Sequence, residues 1–270
     1  MLALSAAAAL FGSASAFAAP TSSGVFNPFT VNAPDGKTFT ADKITGNYVE
    51  VATFNPDGTF DVSLEWTAGQ FVANGGQTAL SPKTTGLGYD YGMYALYTAS
   101  GTVSQDPTTG ATTFTFTPGT GSLQLFLDQN ADTTINGNPS SGTGSFSLGN
   151  TSDDLQIASG NPLSGQGTLN PSLSTCTNGA GGSGINCGSF GSTTSFALNS
   201  LGASIFTDPN PFYSLSMQSG QLNNFTPSGT QTINGSLDVV FSGQVPEPAS
   251  LGLLGLGLLG LGVVRRRKQQ

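Results

Sequence analysis

Residues 60–66 alternate strictly: Phe60, Val62, Leu64 and Trp66 are apolar, and Asp61, Ser63 and Glu65 between them are polar. A period of two puts one set on each face of an extended chain, so this segment reads as a half-buried β-strand. The same period recurs over residues 113–117 and at Leu123, Leu125 and Leu127. It predicts further strands at 94–103, 194–198, 203–206, 212–217 and 232–241. Turn formers such as Asn55-Pro56-Asp57-Gly58 and Asp106-Pro107-Thr108-Thr109-Gly110 separate these runs. No part of the body sustains a helical period. The expectation is an all-β fold: a single antiparallel β-sandwich or prism-like domain, with a closed barrel as the alternative. The Gly- and Ser-rich stretches 136–144 and 178–191 read as loops or bulges. Residues 225–229 and 242–248 read as the end of the folded unit. Ser-Gly-Gln recurs at 164–166, 219–221 and 242–244, and Thr-Ile-Asn-Gly at 134–137 and 232–235. These echoes have no fixed period and define no repeat array.

Both ends carry addresses. Near the N-terminus an apolar run precedes Ala16-Phe17-Ala18, the small-x-small pattern of a signal-peptide cleavage site, with cleavage expected between Ala18 and Ala19. No Lys or Arg precedes that run, as expected if the start is placed too far downstream. At the C-terminus, Val245-Pro246-Glu247-Pro248 leads into the uncharged stretch 249–264 and then Arg265-Arg266-Arg267-Lys268. Sixteen helical residues span about 24 Å, and basic side chains that snorkel to the interface supply the remaining thickness. Cations on one flank alone put the C-terminus in the cytoplasm and the body across the membrane. The expected organisation is a signal peptide at 1–18, an exported β-rich domain at 19–242, and a sorting segment at 243–270. That last segment divides into the motif 245–248, a transmembrane helix 249–264 and the basic tail 265–270. It resembles the PEP-CTERM sorting signal of Gram-negative bacteria. The resemblance implies recognition of Pro246, Glu247 and Pro248 by a membrane-embedded exosortase, and removal of the tail near them.

Composition excludes several functions. The body keeps Lys37, Lys43 and Lys83 against 14 of the 15 acids, a formal charge of −11. So acidic a surface does not bind nucleic acid, because phosphate neutralisation needs many cations. The chain has no histidine, which removes Ser-His-Asp triads, Cys-His pairs and zincin helices. What remains is carboxylate chemistry, in which Glu50 or Glu65 with an aspartate forms a glycosidase-type pair. Surface carboxylates that keep an exported chain soluble are the plainer reading, and the chain is expected not to be an enzyme.

Three smaller features suggest structure or binding. Cys176 and Cys187 bracket ten residues and, in an exported chain, are expected to form a disulfide that stabilises by about 3 kcal/mol. Asp128, Asn130 and Asp132 space oxygen side chains as a calcium loop opens, with Asp153-Asp154 as possible helpers. Thr133 and Pro139 at the sixth and twelfth positions depart from an EF-hand. No cofactor is expected unless calcium binds there. Tyr89, Tyr91, Tyr94 and Tyr97, with Trp66, offer either a sugar-stacking surface or ordinary core packing.

Much of the body also resembles the flocculation-associated PEP-CTERM proteins of floc-forming bacteria. The resemblance lies in residues 39–48 (FTADKITGNY), 125–128 (LFLD), 164–169 (SGQGTL), 185–191 (INCGSFG) and 232–238 (TINGSLD). It implies a structural or adhesive role at the cell surface or in the extracellular matrix, where the protein helps link cells and exopolysaccharide in flocs or biofilm. The expected route crosses the inner membrane with a transient anchor and exosortase processing. Alternatives are a calcium-dependent, lectin-like glycan binder, an ice-binding module, and a carboxylate-dependent glycan hydrolase or lyase.

Overall fold

The turn at Asn55-Pro56-Asp57-Gly58 sets the first long hairpin. The Asp57 carboxylate accepts from the Thr59 backbone N–H (3.0 Å) and hydroxyl (2.6 Å), and Gly58 takes the left-handed φ of 81° that the turn requires. The computed structural model describes residues 26–176, 184 and 186–243. In chain order these form β1 (Phe29–Asn32), β2 (Thr38–Ala41), β3 (Lys43–Phe54), β4 (Thr59–Ala73), β5 (Thr78–Ala79), α1 (Pro82–Thr85), β6 (Gly92–Gln105) and β7 (Thr112–Asp128). They continue with β8 (Thr134–Gly137), β9 (Ser147–Gly149), β10 (Asp154–Gly160), β11 (Pro162–Leu169), β12 (Gly188–Ser195) and β13 (Ala197–Leu198). The last are α2 (Ser200–Ile205), β14 (Phe206–Asp208), β15 (Leu215–Leu222) and β16 (Gly229–Ser242).

The all-β, antiparallel expectation holds, and the sheet closes on itself. Strands β11, β12, β15, β16, β3, β4, β6 and β7 are hydrogen-bonded in that order, and β7 returns to β11 through Gln166↔Thr115 to Leu169↔Thr112. The architecture is therefore an eight-stranded barrel. Strand β7 serves two neighbours: its first half closes the barrel on β11, and its second half pairs with β10. The change falls where the β6 register shifts between Ala99 and Gly101. At that bulge Gly121 has φ 107°, and a Cβ there would overlap the Thr98 carbonyl. The Thr120 hydroxyl replaces lost ladder bonds by accepting from the Ser100 N–H (3.1 Å) and donating to the Thr117 carbonyl (2.6 Å).

Aromatic clusters fill both ends of the barrel. The three-stranded sheet β14-β1-β2 brings Phe29 and Phe206 onto Phe241, with ring centroids 5.2 and 6.0 Å away. At the other end Phe225 stacks on Phe54 and Phe114 at 6.0 and 5.8 Å. Two sequence expectations are corrected here. Residues 203–206 are mostly helix: the Asn199 side chain caps α2 by accepting from the Gly202 N–H (2.8 Å), so Ile205 is a buried helical residue. Residues 225–229 do not end the folded unit, because Phe225 packs into the core and Gly229 begins β16. Stretch 136–144 is largely loop after β8, and β12 begins inside the Gly/Ser run at Gly188.

Amide hydrogen exchange checks barrel closure. Strand β11 should be protected along both sides, toward β12 and toward β7, to the degree seen in β3. Rapid exchange on the β7-facing side would mean an open sheet with two free edges.

Candidate functional site

Alternation along β3 turns Ile44, Gly46, Tyr48, Glu50, Ala52 and Phe54 toward the barrel interior. Glu50 thereby enters a lumen otherwise lined by Leu64, Trp66, Tyr97, Phe116, Leu125 and Phe190, where a cavity of about 60 Å³ remains. Burial pushes its carboxyl up from 4.5 to about 7. Tyr48 and Tyr97 are pushed up as well, by burial first and then by the nearby Glu50 charge. Neither hydroxyl has a hydrogen-bond partner among the described residues, and Ser192, though near Tyr97, lacks the geometry of a bond. The other polar lumen groups satisfy one another. Ser192 donates to Gln218 Oε1 at 2.8 Å, and Gln218 Nε2 donates to Thr194 (3.0 Å) and Ser216 (2.7 Å).

Glu65 points the opposite way. It pairs across the ladder with Val49 while Glu50 pairs with Leu64, so the barrel wall separates the two carboxyls. Glu65 is buried on the outer face, where Thr67 Oγ1 donates to it at 2.8 Å. Burial, opposed by that bond, raises it to about 7. The two glutamates do not form an acid/base pair with each other.

The acidic turn after β7 is built differently from the spacing that suggested it. Carboxylates of Asp128, Asp153 and Asp154 converge within 4.8 Å, and Asp132 lies outside that group. Asp128 accepts from the backbone N–H groups of Asn130 (3.2 Å) and Thr133 (3.0 Å). Asp154 accepts from Tyr94 Oη (2.7 Å) and Thr133 Oγ1 (2.9 Å). Asp132 is raised by desolvation, then by the charges of Asp153, Asp128 and Asp154. The aromatic expectation resolves as packing: Trp66, Tyr91 and Tyr97 are buried, Tyr94 stacks on Phe126 at 5.0 Å, and only Tyr89 is exposed.

The outer face of β11, β12, β15 and β16 holds a groove of about 580 Å³. Paired residues run across it in rows: Thr168–Ser189–Gln221, then Gln166–Gly191–Ser219–Asp238, then Thr193–Met217–Val240. Rows lie two residues apart, roughly 6.6 Å, and neighbouring strands about 4.8 Å apart. Two of the Ser-Gly-Gln echoes therefore share a purpose, since each delivers its glutamine to this face. Gly191 has no side chain to fill the middle row. Asp238, the charged residue of the groove, is held by Lys43 Nζ at 2.9 Å. Sequence reading missed the groove because small polar residues on both faces of these strands give no alternation.

Cys176 and Cys187 form the expected disulfide, with Cα atoms 4.5 Å apart. The cleavage-site residues Ala16, Ala18 and Ala19, the motif Val245–Pro248, the segment 249–264 and Arg265–Lys268 lie outside the described residues. Among the described residues no helix is long and apolar enough to cross a membrane. A barrel with a largely ring-lined interior, followed in the sequence by a sorting signal, is the organisation of an exported protein delivered by a processing system. The particular system is shown by the family model for the PEP-CTERM protein-sorting motif, which matches residues 244–268. The chain thus carries a PEP-CTERM sorting signal, which supports an exported, exosortase-targeted protein with membrane-transient processing. No curated protein and no solved structure matches it.

The two glutamates give the barrel an acid-favouring stability. Both folded values (about 7) exceed 4.5, so the unfolded chain releases these protons first as pH rises. Their contribution is complete below pH 4.5, declines through 7, and is then lost, on the order of 3 kcal/mol for each carboxyl. Urea midpoints between pH 5 and 8 should fall with rising pH, and Glu50→Gln with Glu65→Gln should flatten that slope.

Proposed function

We propose that the protein is a surface or matrix component that binds exopolysaccharide through the outer groove, without turnover, and so supports floc or biofilm cohesion. The groove carries this reading. It presents amides and hydroxyls at Gln166, Gln221, Thr168, Ser189 and Ser219 and one charge already paired, a set that suits the hydroxyls of a neutral glycan. The acidic body disfavours sticking to anionic lipid after release. The resemblance to floc-associated proteins points the same way.

In the host, only the full-length gene should restore flocculation and surface location after deletion; a version lacking residues 245–270 should restore neither. Unchanged aggregation in the deletion strain would remove the floc role. With purified barrel, Gln166→Ala plus Gln221→Ala should weaken retention on the host's exopolysaccharide about tenfold at unchanged melting temperature.

A calcium-dependent form of this binding has its own support in the convergence of Asp128, Asp153 and Asp154. Three carboxylates so close repel one another, and their bonded donors leave further lone pairs for a hard cation. Calcium should then raise the melting temperature by several degrees, and Asp153→Asn with Asp154→Asn should abolish the rise. No rise in the unmodified protein ends the calcium form and leaves the groove reading standing.

A further inference from the structure

The lumen contains an acid without a counterion. Among the described residues, Lys37 is engaged by Asp35 and Asp90, Lys43 pairs with Asp238, and Lys83 sits exposed on α1. None of the three lines either cavity that Glu50 borders. These cavities, about 60 and 30 Å³, share Glu50, Phe116 and Phe190 as common wall. Tyr97, 9% exposed, lines the larger one and has an unpartnered hydroxyl, and the hydroxyl of Tyr48, 2% exposed, is likewise unpartnered. Buried hydroxyls without partners are rare in folded proteins, because each loses its water without compensation. Ring surfaces of Trp66, Phe116, Phe190 and Phe196 complete the enclosure.

We propose that the barrel lumen is a binding site for a small organic monocation, a primary ammonium carrying a short alkyl group. Its N–H donors meet the Glu50 carboxylate and the Tyr97 hydroxyl, the aromatic faces attract the charge, and the alkyl part takes the apolar wall. Size limits the guest, since about 60 Å³ holds only a few water-sized groups. A guest of two or three heavy atoms binds on the order of millimolar. Among the described residues Glu50 is the only carboxylate bordering either cavity, and Tyr97, with Tyr48 nearby, supplies the other titratable groups near it. Protons therefore compete with the cation at Glu50, and binding releases a proton below pH 7.

Trp66 is the single tryptophan of the chain and borders the cavity, so its fluorescence reports occupancy. Full-length protein or the exported body should be titrated with methylammonium and ethylammonium, with ethanol as the neutral control. Expected are a saturable fluorescence change, affinity that falls about tenfold per unit below pH 7, and loss of binding in Glu50→Gln. That variant keeps the shape while removing a desolvated charge, so it should fold at least as stably. Tyr97→Phe should weaken binding several-fold. Equal binding of ethanol, or undiminished binding in Glu50→Gln, overturns the cation site. No change with either amine at pH 8 shows a cavity that holds water only, and likewise overturns it.

Discussion

Rings lying over glycines hold this barrel together. A Cβ on Gly101, Gly165, Gly220 or Gly235 would stand 2.6–2.8 Å from a ring carbon of Phe60, Phe116, Phe190 or Tyr48 respectively, closer than real contacts allow. Trp66 lies still closer over Gly46 and donates its indole N–H to the Leu237 carbonyl at 3.2 Å. In most of these pairs the ring and the glycine face each other on adjoining strands. An eight-stranded barrel has an interior just wide enough for side chains. Large rings fit it only if the adjoining strand leaves room beside them, and glycine is the residue that does so. These five glycines thus serve packing, and the strands tolerate them because an aromatic surface covers each one.

That packing also determines where polar chemistry can sit. Rings crowd both ends of the lumen, and its waist is left to Glu50, two tyrosine hydroxyls and the Ser192–Gln218–Thr194–Ser216 network. Outside, the strands that gave way inward, β11, β12 and β15, carry short polar side chains on their other face. The groove and the lumen are therefore two sides of one stretch of wall. Delivery is separate from both. The sorting signal at residues 244–268 is the address.

Strands β4, β6, β7 and β16 were legible through apolar inward positions that alternate with more polar neighbours, whereas β3, whose inward row includes Gly46 and Glu50, was not. Strands β11, β12 and β15 were largely illegible. Their inward residues include Gly165, Gly167, Ser192, Thr194 and Ser216, and their outward residues are mostly Ser, Thr and Gln, so the two faces look alike. Residues 203–206 resembled a strand through Ile205 and Phe206, although Asn199-Ser200 just before them was a readable helix start. The inward direction of Glu50 was also readable, since it shares parity with Tyr48 and Phe54. The partners that converge with Asp128 were only partly readable, because β10 brings Asp153 and Asp154 back beside it from across the turn. The sorting motif was legible, since its meaning lies in local order rather than in folding.

The central claim is tested by substituting alanine for single glycines and measuring urea stability. Glycines beneath rings (Gly101, Gly165, Gly220, Gly235) should each lose roughly 2 kcal/mol or more, since neither the wall nor the ring can yield freely. Strand glycines with open or ordinary surroundings, Gly69 and Gly191, should change by less than about 1 kcal/mol. Equal losses in the two groups would contradict the account, and would mean that glycine serves backbone shape here and not the seating of aromatic rings.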